Sequence, residues 1–317
     1  MSFQVKFFIC GGALPLMMFS GCQSSVQTHD DISRPKIIAI GDMHGDYQPY
    51  SSLMLASGLM DVDGNWSGGN TIFIQTGDIP DRGPDTRKII DSLQKLQRQA
   101  PDSGGRVIPL IGNHEAMNMV GDLRYVHVGE FNAFAKPESE DKARTNDEKI
   151  IAGKVEHQMA WAPDGYIGEW VANNMVVVKV QGYLFAHGGY SQEYSTRPLA
   201  DINKAARKAL IAQDWSKTSI LRDKLGPLWY RGNVRGRENN DDFSRENEII
   251  KVLEAYNATH IIVGHTRNEE GIKMSSDGRL IQIDTGASAH YGGVPSYLRL
   301  ENGEIFAHTL SSVTKLN

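Results

Sequence analysis

Cysteine is nearly absent from this chain of 317 residues: it has two, Cys10 and Cys22, both near the N-terminus. If the leading segment is removed and Cys22 is consumed there, the remainder has no thiol nucleophile, no thiolate metal ligand and no disulfide. An excess of positive charge is also missing. Thirty-three Lys and Arg stand against 38 Asp and Glu, a formal net charge of -5, which argues against a nucleic-acid binder held by phosphate contacts. There is no internal repeat and no low-complexity tract. The longest apolar run, Phe7 to Phe19, is broken by Gly11, Gly12 and Pro15 and falls short of the roughly 20 residues of a membrane-spanning helix. What remains is an ordinary globular composition, 40% apolar and 22% charged, with enough chain for one large domain or two small ones.

The first 21 residues read as a secretory segment: Lys6 precedes the apolar run, which ends in Phe19-Ser20-Gly21-Cys22. Small residues directly before a cysteine resemble a bacterial lipoprotein cleavage site, with Cys22 as the lipidated residue, although Phe19 stands where an aliphatic residue is usual. Gln23 after the cysteine suits sorting to an outer membrane in a Gram-negative source. A plain signal peptide or an uncleaved anchor is the alternative. The expected organisation is a signal segment over 1–21, a polar tether over 22–35 and one catalytic domain over 36–317 in the bacterial cell envelope, facing the periplasm.

Within that domain, apolar runs predict strands at Lys36 to Ile40, Thr71 to Thr76, Arg106 to Ile111, Met175 to Val180, Tyr183 to Ala186, His260 to Val263, Leu280 to Ile283 and Glu304 to His308. Helical spacing puts Ile89, Ile90, Leu93 and Leu96 on one face, with Pro84 in the first turn, and predicts a second helix over 245–256. Alternating strands and helices at the start imply right-handed parallel crossovers. The later strands suggest a second sheet packed on the first. Residues 116–174 read as a largely helical insertion, its charged part, 137–150, facing solvent.

The chemistry-bearing motifs sit where strands give way to loops: Gly41-Asp42-Met43-His44-Gly45-Asp46, Gly77-Asp78-Ile79-Pro80-Asp81-Arg82-Gly83, Gly112-Asn113-His114-Glu115, His187-Gly188-Gly189 and Gly264-His265-Thr266. Side chains at the carboxyl ends of neighbouring strands converge on one crevice. Asp42, His44, Asp78, Asn113, His187 and His265 together offer oxygen and imidazole ligands, a set suited to zinc, iron or manganese rather than calcium. Six ligands exceed one tetrahedral site, whereas two ions sharing one carboxylate would use them all. Singly, each histidine is more often structural, but several strand-end signatures in one order do not arise easily by chance. The other histidines are read as structural, with His290 set apart only by its Gly-rich loop.

These motifs resemble those of the calcineurin-like metallophosphatases, and within them the phosphoprotein phosphatase family. The segments Gly226-Pro227-Leu228-Trp229-Tyr230-Arg231-Gly232 and Asn118-Met119-Val120-Gly121-Asp122-Leu123-Arg124-Tyr125 are similar to those of the bacterial Shewanella-like phosphatases. The resemblance spans about residues 36 to 290. It implies a four-layer α/β/β/α sandwich of two mixed sheets, with the partly helical insertion over the metal face. It also implies that Asp42, His44 and Asp78 hold one metal and that Asp78, Asn113, His187 and His265 hold the other, with Asp78 bridging. Arg82 and Arg231 would grip the phosphoryl oxygens, and His114, oriented by Asp81, would protonate the leaving oxygen.

Such a site hydrolyses phosphomonoesters through a water activated between two divalent or trivalent cations, so no protein nucleophile is required. Arginine suits the grip because its planar fork matches phosphate oxygens bidentately. The loop Asp284-Thr285-Gly286-Ala287-Ser288 stands where serine/threonine phosphatases keep their substrate-contact loop. The expected substrates are therefore phosphotyrosine in proteins or peptides, or small aryl phosphates. One alternative is a nucleotide hydrolase such as a diadenosine tetraphosphatase on the same site. Another is a lipid-anchored metal- or phosphate-binding protein without turnover.

Overall fold

In the computed structural model the described residues are 1–4, 34–135, 145–237, 244–275 and 277–317. The chain divides into two units, Met1–Ser33 and Arg34–Asn317. Of the first, only Met1–Gln4 is described, as exposed coil. The expectations about the signal segment, Cys10, Cys22 and most of the tether lie outside the described residues, as does most of the charged stretch in the insertion. No helix among the described residues is long and apolar enough to cross a membrane.

Among its described residues the second unit has eleven strands: β1 (Ile37–Ile40), β2 (Ile72–Gln75), β3 (Arg106–Pro109), β4 (Val177–Val180), β5 (Tyr183–Ala186), β6 (His260–Val263), β7 (Lys273–Met274), β8 (Leu280–Gln282), β9 (Ser296–Glu301), β10 (Glu304–Thr309) and β11 (Val313–Leu316). They form two mixed sheets, ordered β11-β10-β9-β1-β2-β3 and β4-β5-β6-β8-β7. The runs β1, β2, β3 and β5, β6, β8 are parallel. Each parallel pair is joined by a crossover that includes a helix or a long loop, as parallel strands require.

Alternation along the strands explains the layering. Ile37 and Ala39 join Ile72, Ile74, Phe185, Ile262 and Ile281 in a core drawn from both sheets. Ile38, Ile40 and Phe73 face the other way and share a second core with Ile89, Ile90, Leu93 and Leu96 of the helix Thr86–Gln99. Each fully buried Ile or Leu contributes about 1.5–3 kcal/mol. The result is the α/β/β/α arrangement of two mixed sheets that the motifs imply.

Three details differ from expectation. Pro84 precedes its helix, which starts at Thr86. The late strand β10 belongs to the first sheet and not the second, because β9 brings the chain back antiparallel to β1 and buries Leu298 and Leu300 between the sheets. The helix Leu199–Ile211 stands where no element was assigned.

The stretch after β3 is helical, with Asn113–Met119, Val128–Phe134, Asn146–Trp161 and Tyr166–Asn173. Two of these helices, Val128–Phe134 and Tyr166–Asn173, are tied to Thr86–Gln99. Thr86 Oγ1 donates to Glu130 at 2.5 Å, Arg87 to the Ala133 carbonyl at 2.7 Å and the Trp170 indole to Gln97 at 2.7 Å. Among the described residues of 116–174, Tyr125 alone lines the cavity at the strand ends.

Candidate metal centre

The six parallel strands end at one cavity of about 270 Å³. Asp42 and His44 follow β1, Asp78 follows β2, Asn113 and His114 follow β3, His265 follows β6 and Asp284 follows β8, and all seven line it. His187, after β5, is fully buried and reaches the same point from below. Its Nε2 lies 3.0 Å from Asn113 Oδ1, 3.1 Å from His265 Nδ1 and 3.3 Å from Asp78 Oδ2.

The local backbone is bent to make this possible. His44, Asp78, Asp81, Arg82 and His265 all have left-handed φ values, from 46° to 75°, a conformation costing about 1–3 kcal/mol for a non-glycine residue. Buried acceptors hold the bends. Glu115 accepts from the amides of Asp78, Ile79 and Gly112 at 2.7–3.0 Å. Asp42 accepts from the His265 amide at 3.1 and 3.2 Å, and Asp78 Oδ1 from the His114 amide at 3.0 Å. Glycine is needed at 112 and 264, where a Cβ would meet the carboxylates of Asp78 and Asp42 respectively.

Asp78 is the shared member of two clusters whose ligand atoms lie within 4.8 Å of one another: His44, Asp78 and His114, and Asp78, His187 and His265. Its Oδ2 has three imidazole Nε2 atoms around it, from His187 at 3.3 Å and from His44 and His114 at 3.8 Å each. Asp42 Oδ2 stands 4.0 Å from His44 Nε2, which brings this carboxylate to the same histidine.

The donor chemistry fits cations. The His187 ring must donate its Nδ1–H to the Thr76 carbonyl at 3.0 Å, and the His44 ring its Nδ1–H to the Pro80 carbonyl at 3.2 Å. With Nδ1 so engaged, both rings turn Nε2 toward carboxylate and amide oxygens. Such carbonyl partners are how proteins orient metal-binding imidazoles. Burial lowers the His44 pKa to about 3, and burial with His187 and Arg231 holds that of His265 far down, so both rings stay neutral. Burial, Asp284 and Asp78 push Asp42 well up. Burial, opposed in part by the Gly286 amide, carries Asp284 to about 6. Crowded carboxylates, neutral imidazoles and one amide oxygen repel one another unless positive charge sits among them.

Around this centre the four residues expected to handle substrate also assemble. The His114 Nδ1 lies 2.5 Å from Asp81 Oδ2, which leaves Nε2 toward the cavity. Burial opposes charge on His114, but Asp78 and Asp81 outweigh it and raise its pKa. Arg82 lies over the Tyr125 ring at 4.0 Å, and Arg231 NH1 donates to His265 Nε2 at 2.8 Å. The Nε atoms of both arginines are buried without a hydrogen-bond partner, a costly condition that an anion would relieve.

Six further residues line the cavity without having been assigned as site residues: Tyr125, Trp229, Arg235, Arg267, Asp284 and Tyr291. Asp284 had a visible signal, since it follows an apolar strand as Asp42 does. Arg235 lies one helical turn beyond Arg231. Arg267 and Tyr291 meet as a cation over a ring at 4.1 Å, a pairing across 24 positions with no local signature. His290 lies outside the lining, and its neighbour Tyr291 takes that place, with its ring 5.2 Å from His44. His157 is structural, fully buried against Glu130 at 3.1 Å.

Comparison with known proteins agrees with this geometry. The family profile of the calcineurin-like phosphoesterases matches residues 35–268. Shewanella-like protein phosphatase 1 of Plasmodium berghei is 31% identical, over 86% of this chain and 73% of its own. Shewanella-like protein phosphatase 2 of Arabidopsis thaliana is 28% identical, over 84% and 75%. Among solved structures, the cold-active protein-tyrosine phosphatase of a psychrophilic Shewanella superposes with a TM-score of 0.73 at 29% identity, covering 89% of this chain and 80% of that one.

Proposed function

The chain belongs to the calcineurin-like phosphoesterases and is a metal-dependent phosphatase, and from that premise we propose that it hydrolyses aryl phosphomonoesters, above all phosphotyrosine in proteins and peptides. The observation that carries this reading is the company Asp78 keeps. Its two clusters have two arginines with unpartnered Nε atoms near them and three aromatic side chains, Tyr125, Trp229 and Tyr291, lining the cavity. Those rings suit an aromatic ester, and the structural relative is itself a protein-tyrosine phosphatase.

In this reading Asp42, His44 and Asp78 would hold one ion, and Asp78, Asn113, His187 and His265 the other. Bound there, manganese, zinc or iron, by donor type, would supply an activated water and offset phosphoryl charge. Arg82 and Arg231 grip the equatorial oxygens and align the ester. His114 carries a proton on Nε2 for the leaving oxygen, and Asp81 steadies the ring and its positive charge. The catalytic domain occupies 36–317. Cys22 as a lipid anchor in a periplasm-facing envelope protein rests on the sequence motif alone. Cys22→Ser should release the chain from membranes.

The test is a substrate panel with metal-loaded protein. Turnover of phosphotyrosine peptide and p-nitrophenyl phosphate, well above that of diadenosine tetraphosphate, supports the proposal. A preference for the dinucleotide would make it a nucleotide hydrolase. Inertness toward every substrate across metals and pH would leave a phosphate-binding protein.

A further inference from the structure

A second cavity, of about 280 Å³, adjoins the metal cavity, and Tyr125 and Trp229 line both. Its remaining walls carry three cations, Arg124, Arg222 and Lys224, against one carboxylate, Asp122. Arg124 is paired with Asp122 through two bonds of 2.8 and 2.5 Å. The surplus is thus Arg222 and Lys224, both exposed. No hydrogen bond or ion pair engages Lys224 among the described residues. Two uncompensated cations beside the substrate entrance stand out on a chain of net charge -5.

One aromatic face and one indole edge of this groove are already engaged. The Arg222 guanidinium lies over the Trp215 ring at 5.5 Å and donates to the Trp215 carbonyl at 3.0 Å. The Trp229 indole N–H donates to the Leu221 carbonyl at 2.8 Å. A nucleobase stacking on Trp215 would have to displace Arg222. An acidic side chain would meet the outward N–H groups of Arg222 and the free ammonium of Lys224 without displacing anything.

We propose that this groove docks acidic residues flanking the phosphorylated residue of a peptide substrate, so that the protein prefers phosphopeptides with Asp or Glu beside the phosphate. The inference deepens the phosphatase reading and rests on it for the placement of the phosphoryl group. The peptide backbone would pass over Tyr125 and Trp229, the two side chains common to both cavities. Its carboxylates would reach Arg222 and Lys224 through exposed, salt-screened ion pairs.

The experiment compares kcat/KM of the metal-loaded protein on phosphotyrosine peptides of equal length flanked by Glu, Ala or Lys, with p-nitrophenyl phosphate as a reference that cannot reach the groove. Binding of the same peptides is followed in parallel by fluorescence polarisation. The expected order is Glu over Ala over Lys, with a Glu advantage of about threefold to tenfold at low salt that shrinks as salt rises. The pair Arg222→Ala and Lys224→Ala should erase that advantage in both assays and leave p-nitrophenyl phosphate turnover unchanged. Lys224→Glu, at an exposed position with no partner to lose, should reverse the order of the Ala and Lys peptides.

Equal kcat/KM and equal binding for the three peptides overturns the proposal. So does a Glu preference that survives both substitutions. If no phosphomonoester is hydrolysed, the phosphatase reading fails, and charge-dependent binding abolished by the two alanine substitutions still sustains the docking groove. Dinucleoside polyphosphate binding that falls with those substitutions, without any peptide preference, would assign the groove to nucleotides and overturn the peptide.

Discussion

The carboxylate of Asp81 meets His114 Nδ1 at 2.5 Å inside the protein, with Asp81 fully buried. Asn118 holds the other Asp81 oxygen at 3.0 Å and bonds the His114 carbonyl at 3.0 Å with the same amide group. The imidazole therefore has one available orientation, with Nε2 toward the cavity. A side chain fixed in this way can deliver a proton to one place, as a general acid must.

Replacing His114 by Asn should leave metal content unchanged and lower kcat by about 10²–10⁴-fold. The loss should grow as the leaving group worsens, from p-nitrophenol to an alkyl alcohol. Wild-type rates on an alkyl phosphate would refute the general-acid role, and loss of metal would make His114 a ligand instead.

The pH dependence follows from the direction of the His114 shift. Its pKa is raised because Asp78 and Asp81 outweigh burial, so the ring stays protonated past the usual histidine range and loses its proton as pH rises through the raised value. Activity on poor leaving groups should decline on that alkaline side. Asp81→Asn removes one of the charges that raise the pKa and should move the decline to lower pH, visible in log kcat against pH.

Asp78→Asn should abolish activity and lower bound metal together, because the carboxylate lies in both ligand clusters. Metal analysis after gel filtration checks this. Retention of two ions by the variant would contradict a bridging role.

Arg82→Ala and Arg231→Ala should each raise KM and depress kcat on every phosphomonoester, by about 10- to 100-fold in kcat/KM for loss of charged hydrogen bonds. Lysine should rescue poorly at either position, since it lacks the planar fork. An arginine whose removal changes only thermal stability is a structural ion and not a phosphate ligand.

Gly153→Ala should lower stability by about 1–3 kcal/mol through overpacking. A Cβ there would strike the Phe131 carbonyl, where helices Val128–Phe134 and Asn146–Trp161 approach. Thermal unfolding measures the effect. Metal content should hold, since no centre residue lies on either helix.

Most of the centre was legible in the sequence because each expected metal ligand sits directly after an apolar strand and beside a glycine, a local pattern with a local cause. Asp42, His44, Asp78, Asn113, His187 and His265 all meet. Arg267 and Tyr291 were illegible for the opposite reason: their contact is made by folding and leaves no spacing to read. The strand β9, Ser296–Glu301, went unseen because Arg299 and Glu301 dilute its alternation. The helix Leu199–Ile211 buries Ala206 and Ala209 beside Ile202 and Leu210, and small residues give a faint periodicity. The pairing of β9 with β1 was equally hidden, since these two strands stand at opposite ends of the domain sequence and carry no mark of their pairing.

The left-handed bends at His44, Asp78 and His265, and beside them at Asp81 and Arg82, imply that this protein should be brittle without its ions. Five bends, each costing about 1–3 kcal/mol, are stacked on mutually repelling carboxylates at one rim of the sandwich. Ions that bind only the native state raise its melting point by mass action. A chelator should therefore do more than silence turnover: it should lower the melting temperature and open the loops after β1 and β2 to proteases, with both effects reversed when metal is restored.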